Sequence, residues 1–393
     1  WYLSPAVYND TWQLMSNLNL DDLYEYSSSF KIELEIPHPY HLESNLYQYI
    51  TDNQHGKTYF LVGKNKTDII LNIQKQKTFA SFQTKNIQVY TDLLDNKLDD
   101  HLSSDILNRE LLFLEEHLGK YPHKQIFIDQ ITQQKNPIYG LNQLPNILRP
   151  FSDVFKWDIT LFKEISKKYI ESTLLLNKRE DYWLLDGIQT YLMMKYVDTY
   201  YPNVNLLGKV ANLWGIRSFN FSKLKFNDKY PFVYQFTTRQ FLDQRLTTRA
   251  DSLSNFNRKI FNKYKAGLGF RYLNDYLGEH ILNTTIKEFY LKSNFKISSS
   301  LLFKEILSSK TSKNLDWFFV DYIQTNKKID YTIKNAIVRD HFIDVTIKNK
   351  RNTKAPIVLY GLKKDKVVFK KWITNVDSVK TVTIPKGDFS RLI

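Results

Sequence analysis

Five consecutive residues, Lys163-Glu164-Ile165-Ser166-Lys167, and an aspartate that follows after eighteen intervening residues, Asp186, hold the most chemically suggestive spacing in this 393-residue sequence. On a helix, positions i and i+4 share a face, so Lys163 and Lys167 would present two amines with the Glu164 carboxyl between them. Were both lysines histidines, the pattern would be H-E-x-x-H, in which two imidazoles one turn apart hold a metal and the glutamate activates a bound water. Lysine changes that chemistry. A ligand must offer a lone pair, and an ammonium with an ordinary pKa of about 10.4 offers none. Removing the proton at pH 7 costs roughly 3.4 × 1.36, or about 4.6 kcal/mol, for each lysine. These residues predict a site with no metal and no cofactor, its two ammonium groups paired with Glu164 and Asp186. A solvated helix face with coincidental spacing is the plain alternative.

The elements that must carry these groups can be read from periodicity. Leu161, Phe162, Ile165, Tyr169 and Leu174 give the lysine helix its apolar sides, and Asp158 is placed to cap it. A short loop at 177–181 leads to a second helix through Tyr182-Trp183-Leu184-Leu185-Asp186-Gly187, running to about Tyr200 before Pro202. Upstream, Ser103-Ser104-Asp105 opens a helix over 106–118, and Gln125-Ile126-Phe127-Ile128-Asp129 reads as a buried strand. Downstream, helical spacing recurs over 268–277, 285–292 and 301–307. Period-two alternation marks both ends, as in Phe30-Lys31-Ile32-Glu33-Leu34-Glu35-Ile36 and Phe342-Ile343-Asp344-Val345-Thr346-Ile347. His38 and His41 sit in a Pro-flanked loop and read as turn and packing residues. No histidine lies between His123 and His280, so no neighbouring imidazole replaces Lys163 or Lys167 as a ligand.

Order and spacing together resemble the aminopeptidase-N-like zinc metallopeptidases, a gluzincin family, in which H-E-x-x-H is followed after eighteen residues by a glutamate in a W-L-N-E-G-type helix. The stretch from Tyr182 to Leu192 resembles that helix with its glutamate shortened to Asp186. Pro137-Ile138-Tyr139-Gly140-Leu141-Asn142-Gln143 occupies the place of the family's G-A-M-E-N strand, and it lacks the glutamate that holds a substrate's free amine. Tyr264-Lys265-Ala266-Gly267 resembles Y-x-K-G, whose tyrosine bonds the tetrahedral intermediate; a structural role for Tyr264 is the equal alternative. Leu315-Asp316-Trp317-Phe318-Phe319 resembles the L-D-W-F-F segment that closes this region. The resemblance implies an α+β fold with a thermolysin-like catalytic domain over 105–326, an N-terminal β domain over 1–104 and a small β-sandwich over 327–393. Lys163, Lys167 and Asp186 are then degenerate zinc-ligand positions, Glu164 and Tyr264 relics of catalysis, and Tyr139, Gly140, Leu141, Asn142 and Gln143 a relic substrate strand.

Composition bounds the remaining classes. Lysine and arginine number 55 against 41 acidic residues, a formal charge of +14, but the basic residues are scattered and no nucleic-acid motif accompanies them. There are no cysteines, which excludes disulfides and thiol chemistry within this sequence. No apolar run approaches the length of a membrane span. The sequence opens at Trp1 rather than methionine, as a processed or excerpted portion would. The expected protein is a catalytically inactive, metallopeptidase-like subunit that works through protein partners in a multi-subunit complex, with no nucleic acid. From the resemblance, a bacterial envelope location (periplasm or outer-membrane surface) is expected. The alternative is a hydrolase retaining activity by a non-metal route through Lys163, Lys167 and Glu164.

Overall fold

A computed structural model of the chain describes residues 5–13, 24–141, 150–212 and 220–393. The period-two stretches near the N-terminus form antiparallel strands: Ser28–Pro37 pairs with Gly56–Lys66, which pairs in turn with Tyr47–Asn53. A second ribbon joins His41–Ser44 to Leu71–Gln74, and Ile36, Leu42, Leu46, Tyr59 and Leu61 are buried together as a small core. The strand Gln88–Thr91 then pairs on one side with Ala80–Gln83 and on the other, in parallel, with Gln125–Ile128. One sheet thus runs across the change of pattern near residue 104, and Phe82, Ile87 and Val89 enter the same core as the helices.

Helix α1 (Asp100–His117) begins nearly two turns before the expected start at 106, because the Asp99 carboxylate accepts from Leu102 N at 2.7 Å and caps it. Helix α2 (Gln130–Lys135) is capped likewise by Asp129. Helix α3 (Asp153–Glu171) carries the lysine motif. Its cap is Ser152, whose hydroxyl accepts from Phe155 N at 3.2 Å, and not Asp158. Asp158 lies a turn inside the helix with no exposed surface, where it accepts hydrogen bonds from Arg109, Tyr196 (2.9 Å) and Tyr201. This buried carboxylate ties α3 to α1 and to helix α4 (Tyr182–Tyr200). A capping aspartate and a buried, clamped one look alike in sequence, since the arginine that decides between them comes from a distant helix.

Helix α5 (Lys229–Arg239) and helix α6 (Asn262–Leu277) complete the walls around α3 and α4, with α6 entered through one wide helical turn at Asn257–Phe261. Glycine decides how closely α6 approaches α4. A methyl group on Gly187 would meet Phe270 at 2.8 Å, and one on Gly267 would meet Thr190 at 2.4 Å, so both positions need the missing side chain. Helix α7 (Glu279–Ser293) and helix α8 (Ser300–Ser309) pack behind, where Phe270, Phe289 and Phe303 are fully buried.

After residue 330 two three-stranded antiparallel sheets face each other: Tyr331–Val338, Phe342–Asn349 and Val379–Pro385 in one, and Ile357–Lys363, Lys366–Ile373 and Arg391–Leu392 in the other. Val345, Ile347, Leu359 and Ile384 fill the space between them. Lys364 and Asp365 both take positive φ, as a two-residue hairpin turn requires. Trp372 packs edge-on to Tyr272 and Tyr276, which seats this unit against α6.

Candidate functional site

The site forms where α3 and α4 lie side by side. Gln189 on α4 donates to the Lys163 carbonyl at 2.9 Å and to the Ser166 hydroxyl at 3.3 Å, so the two helices are joined at the motif itself. The three candidate ligand positions point to different partners. Lys163, buried on α3, donates from Nζ to the backbone carbonyl of Asn136 and stands 4.0 Å from Glu164. Lys167 faces Glu171, one turn along the same helix, at 3.9 Å. Asp186 is held at 3.3 Å by Lys263 from α6.

Of the expected pairing of two ammonium groups with Glu164 and Asp186, Lys163 and Glu164 do pair, at 4.0 Å, whereas Lys167 and Asp186 take other partners. Adjacent residues on a helix diverge by about 100°, so Lys163 and Glu164 meet only at the long end of an ion pair, 4.0 Å. Glu171, at i+4, is the natural partner of Lys167. Lys263 reaches Asp186 because the glycine contacts let α6 come close. No signal marked Lys263, although it directly precedes Tyr264.

Burial has shifted the titration of these groups. The Lys163 amine is pushed down to about 7, chiefly by desolvation and further by Lys263 and Lys167, with Glu164 acting in the opposite direction. Glu164 is raised by burial, against the pull of Lys163, and its Oε1 has no hydrogen-bond partner among the described residues. Asp186 is raised by burial too, against Lys263. At Glu171 burial acts upward, but Lys167, Lys178, Lys263 and Lys168 together outweigh it and hold the carboxyl low. The deprotonation cost of a free lysine thus overstates the barrier at Lys163, whose amine is about half neutral near pH 7. Geometry, more than charge, separates Lys163 from a ligand role.

The relic substrate segment also departs from expectation. Residues 136–141 make a turn, with Leu141 N donating to Ile138 O at 3.3 Å and Gly140 at φ 88°, so no strand forms over these positions. Asn142 and Gln143 lie outside the described residues. Two buried lysines hold the turn: Lys163 at the Asn136 carbonyl and Lys229, from α5, at 3.4 Å from the Tyr139 carbonyl. Lys229 also lies 3.8 Å over the Phe226 ring, and burial, with Lys163 nearby, brings its amine down to about 7. Periodicity gave no sign of it. Tyr264 packs edge-on to Tyr230, ring centres 4.6 Å apart, and burial followed by the nearby Tyr139 raises its phenol. The structure thus brings Tyr139, Tyr264 and Lys229 to one side of the turn.

Zinc fits this set poorly. Lys163 donates to a carbonyl, Lys167 and Asp186 face opposite charges on other residues, and among the described residues no three His, Asp or Glu side chains gather as a metal centre would need. No helix among the described residues is long and apolar enough to cross a membrane.

No protein-family model matches the sequence, and no curated protein does. Solved structures do. The chain is similar to the aminopeptidase A of Legionella pneumophila, solved in complex with aspartic acid, with a TM-score of 0.63 and 12% identity over 93% of this chain and 43% of that one. It is also similar to a mutant of the M1 zinc metallopeptidase of Deinococcus radiodurans, with a TM-score of 0.51 and 10% identity over 78% of this chain and 67% of that one. The chain spans less than half the length of the Legionella enzyme. Its mixed helix-and-sheet fold is similar to that of these M1-type aminopeptidases.

Proposed function

We propose that the chain is a metallopeptidase-like protein that does not hydrolyse peptides by the zinc route and uses its cleft and surface to hold protein partners, as a scaffold subunit of an assembly. The observation that carries this reading is that each of the three ligand positions is engaged by a different neighbour, although Lys167 and Asp186 line the same cavity. Fold similarity supports the scaffold and leaves the chemistry to the residues. The reading extends to a bacterial envelope assembly, which fractionation and cross-linking followed by mass spectrometry would test.

A second reading is a hydrolase that works without metal. The lowered Lys163 amine beside the raised Glu164 carboxyl favours it, since a general base near neutrality is what burial produces here. Against it, Lys163 is buried and donates its hydrogen bond to Asn136, and no serine or cysteine among the described residues hydrogen-bonds to its amine.

The deciding experiment is a panel of aminoacyl and peptide substrates assayed with and without a chelator. No turnover in either arm is expected. Chelator-sensitive turnover would overturn the proposal, and chelator-insensitive turnover abolished by Lys163→Met would favour the second reading. Zinc binding regained in Lys163→His/Lys167→His/Asp186→Glu would support the ancestry even without activity.

A further inference from the structure

Beside Asp186 opens a cavity of about 320 Å³ with a strongly basic lining. Among the described residues, six basic ones line it, Lys135, Lys167, Lys178, Arg258, Lys259 and Lys263, against two carboxylates, Glu171 and Asp186. The chain as a whole carries 55 basic residues to 41 acidic, so the cavity concentrates a modest excess into a threefold one. These cations are not a run in the sequence. They arrive from α2, α3, the loop at 177–181, the helical turn before α6, and α6 itself, so the fold assembles them. The two carboxylates face Lys167 and Lys263 at 3.9 and 3.3 Å, and the described lining as a whole carries more basic than acidic side chains. The walls are partly apolar, with Tyr182, Leu185 and Ala250 between the charged groups.

From this we infer that the cavity binds the carboxylates of an acidic polypeptide segment, not a free amino terminus; the inference rests on the proposed peptide-holding role of the cleft. A cationic recess repels an α-ammonium group and concentrates anions. The turn at 136–141, which reaches the cavity through Asn136, agrees, since it offers no acidic side chain. Among anions, an acidic peptide suits the site better than a nucleic acid. Phosphate backbones are tracked by extended basic stripes. Here the cations ring a compact recess at the small end of ligand pockets, roughly 300–1,000 Å³. Aspartate or glutamate side chains would place their methylenes on Tyr182 and Leu185 and their oxygens among the lysines.

The test is fluorescence anisotropy of the full chain with N-acetylated, labelled peptides rich in Asp and Glu, beside lysine-rich peptides of equal length. Wild type is compared with Lys178→Glu/Lys259→Glu, and with Lys135→Glu at the end of α2 in case the double variant folds poorly. Thermal melts establish folding. The acidic peptide is expected to bind wild type, to bind about tenfold or more weakly to either charge-reversed variant, and to weaken as ionic strength rises past about 0.1 M, while the lysine-rich peptide does not bind. Absence of acidic-peptide binding, affinity unchanged by charge reversal, or equal competition by inorganic phosphate or a single-stranded oligonucleotide would overturn the inference. Turnover of the bound peptide would instead refute the proposed function and leave the inference standing.

Discussion

Replacing Lys163 by methionine keeps the length of the side chain and removes its charge, and the structure fixes how the effect must depend on pH. In the folded chain this amine titrates at about 7 instead of the ordinary lysine value of 10.5, mainly because it is desolvated. A lysine whose folded pKa is depressed binds its proton less well folded than unfolded. Its burden on stability is greatest below pH 7 and is relieved as pH rises from 7 toward 10.5. At 1.36 kcal/mol per unit, the burden is about 4 kcal/mol at pH 7 and about 2 kcal/mol at pH 9. Methionine escapes it but leaves the Asn136 carbonyl without its donor, a loss of roughly 1–3 kcal/mol that does not change with pH. Lys163→Met is therefore expected to stabilise the protein by about 1–3 kcal/mol at pH 7, with the advantage shrinking by about 2 kcal/mol at pH 9. Urea denaturation of both proteins at pH 6, 7, 8 and 9 reads this directly. A difference that stays flat across the series would show that Lys163 is solvated and would refute the buried-amine account.

Other substitutions probe the frame around the site. Asp158→Ala removes the shared acceptor of Arg109, Tyr196 and Tyr201, and should cost roughly 3 kcal/mol in urea denaturation. That is the low end for a broken buried pair, because the Arg109 side chain is 32% exposed; a loss below about 0.5 kcal/mol would mean the clamp is unimportant. Gly267→Ala places a methyl group 2.4 Å from Thr190 and should cost about 1–3 kcal/mol by overpacking, while Gly267→Ala combined with Thr190→Ser should recover part of it. An unchanged melting temperature in the single variant would show that α4 and α6 are not in the close contact described.

The helices that carry the site were legible because their signals are local. The apolar spacing of Leu161, Phe162 and Ile165, all fully buried, marks α3, and the interval from Lys167 to Asp186 survives as two adjacent helices. The partners of those residues were not legible. Lys263 meets Asp186 only because Gly187 and Gly267 let two helices close up, and Lys229 meets Tyr139 only through the position of α5. The stretch at 137–143 read as a strand by analogy of position, but its described part turns at Gly140 under the hold of two buried lysines. Buried charge misled in the same way at Asp158, since an aspartate near a helix start is more often a cap than a clamp. Lys163 behaves like a free side chain in sequence, and only its burial between α3 and the turn at 136–141 moves its titration by enough to matter.

The most direct measurement is metal content with titration: elemental analysis of the purified chain, then calorimetric titration with zinc, on wild type and on Lys163→Ala/Lys167→Ala/Asp186→Ala. The account predicts substoichiometric zinc in the purified protein and no binding that the triple substitution removes. One tightly held zinc per chain, lost on substituting positions 163, 167 and 186, would contradict it and restore the metallopeptidase reading.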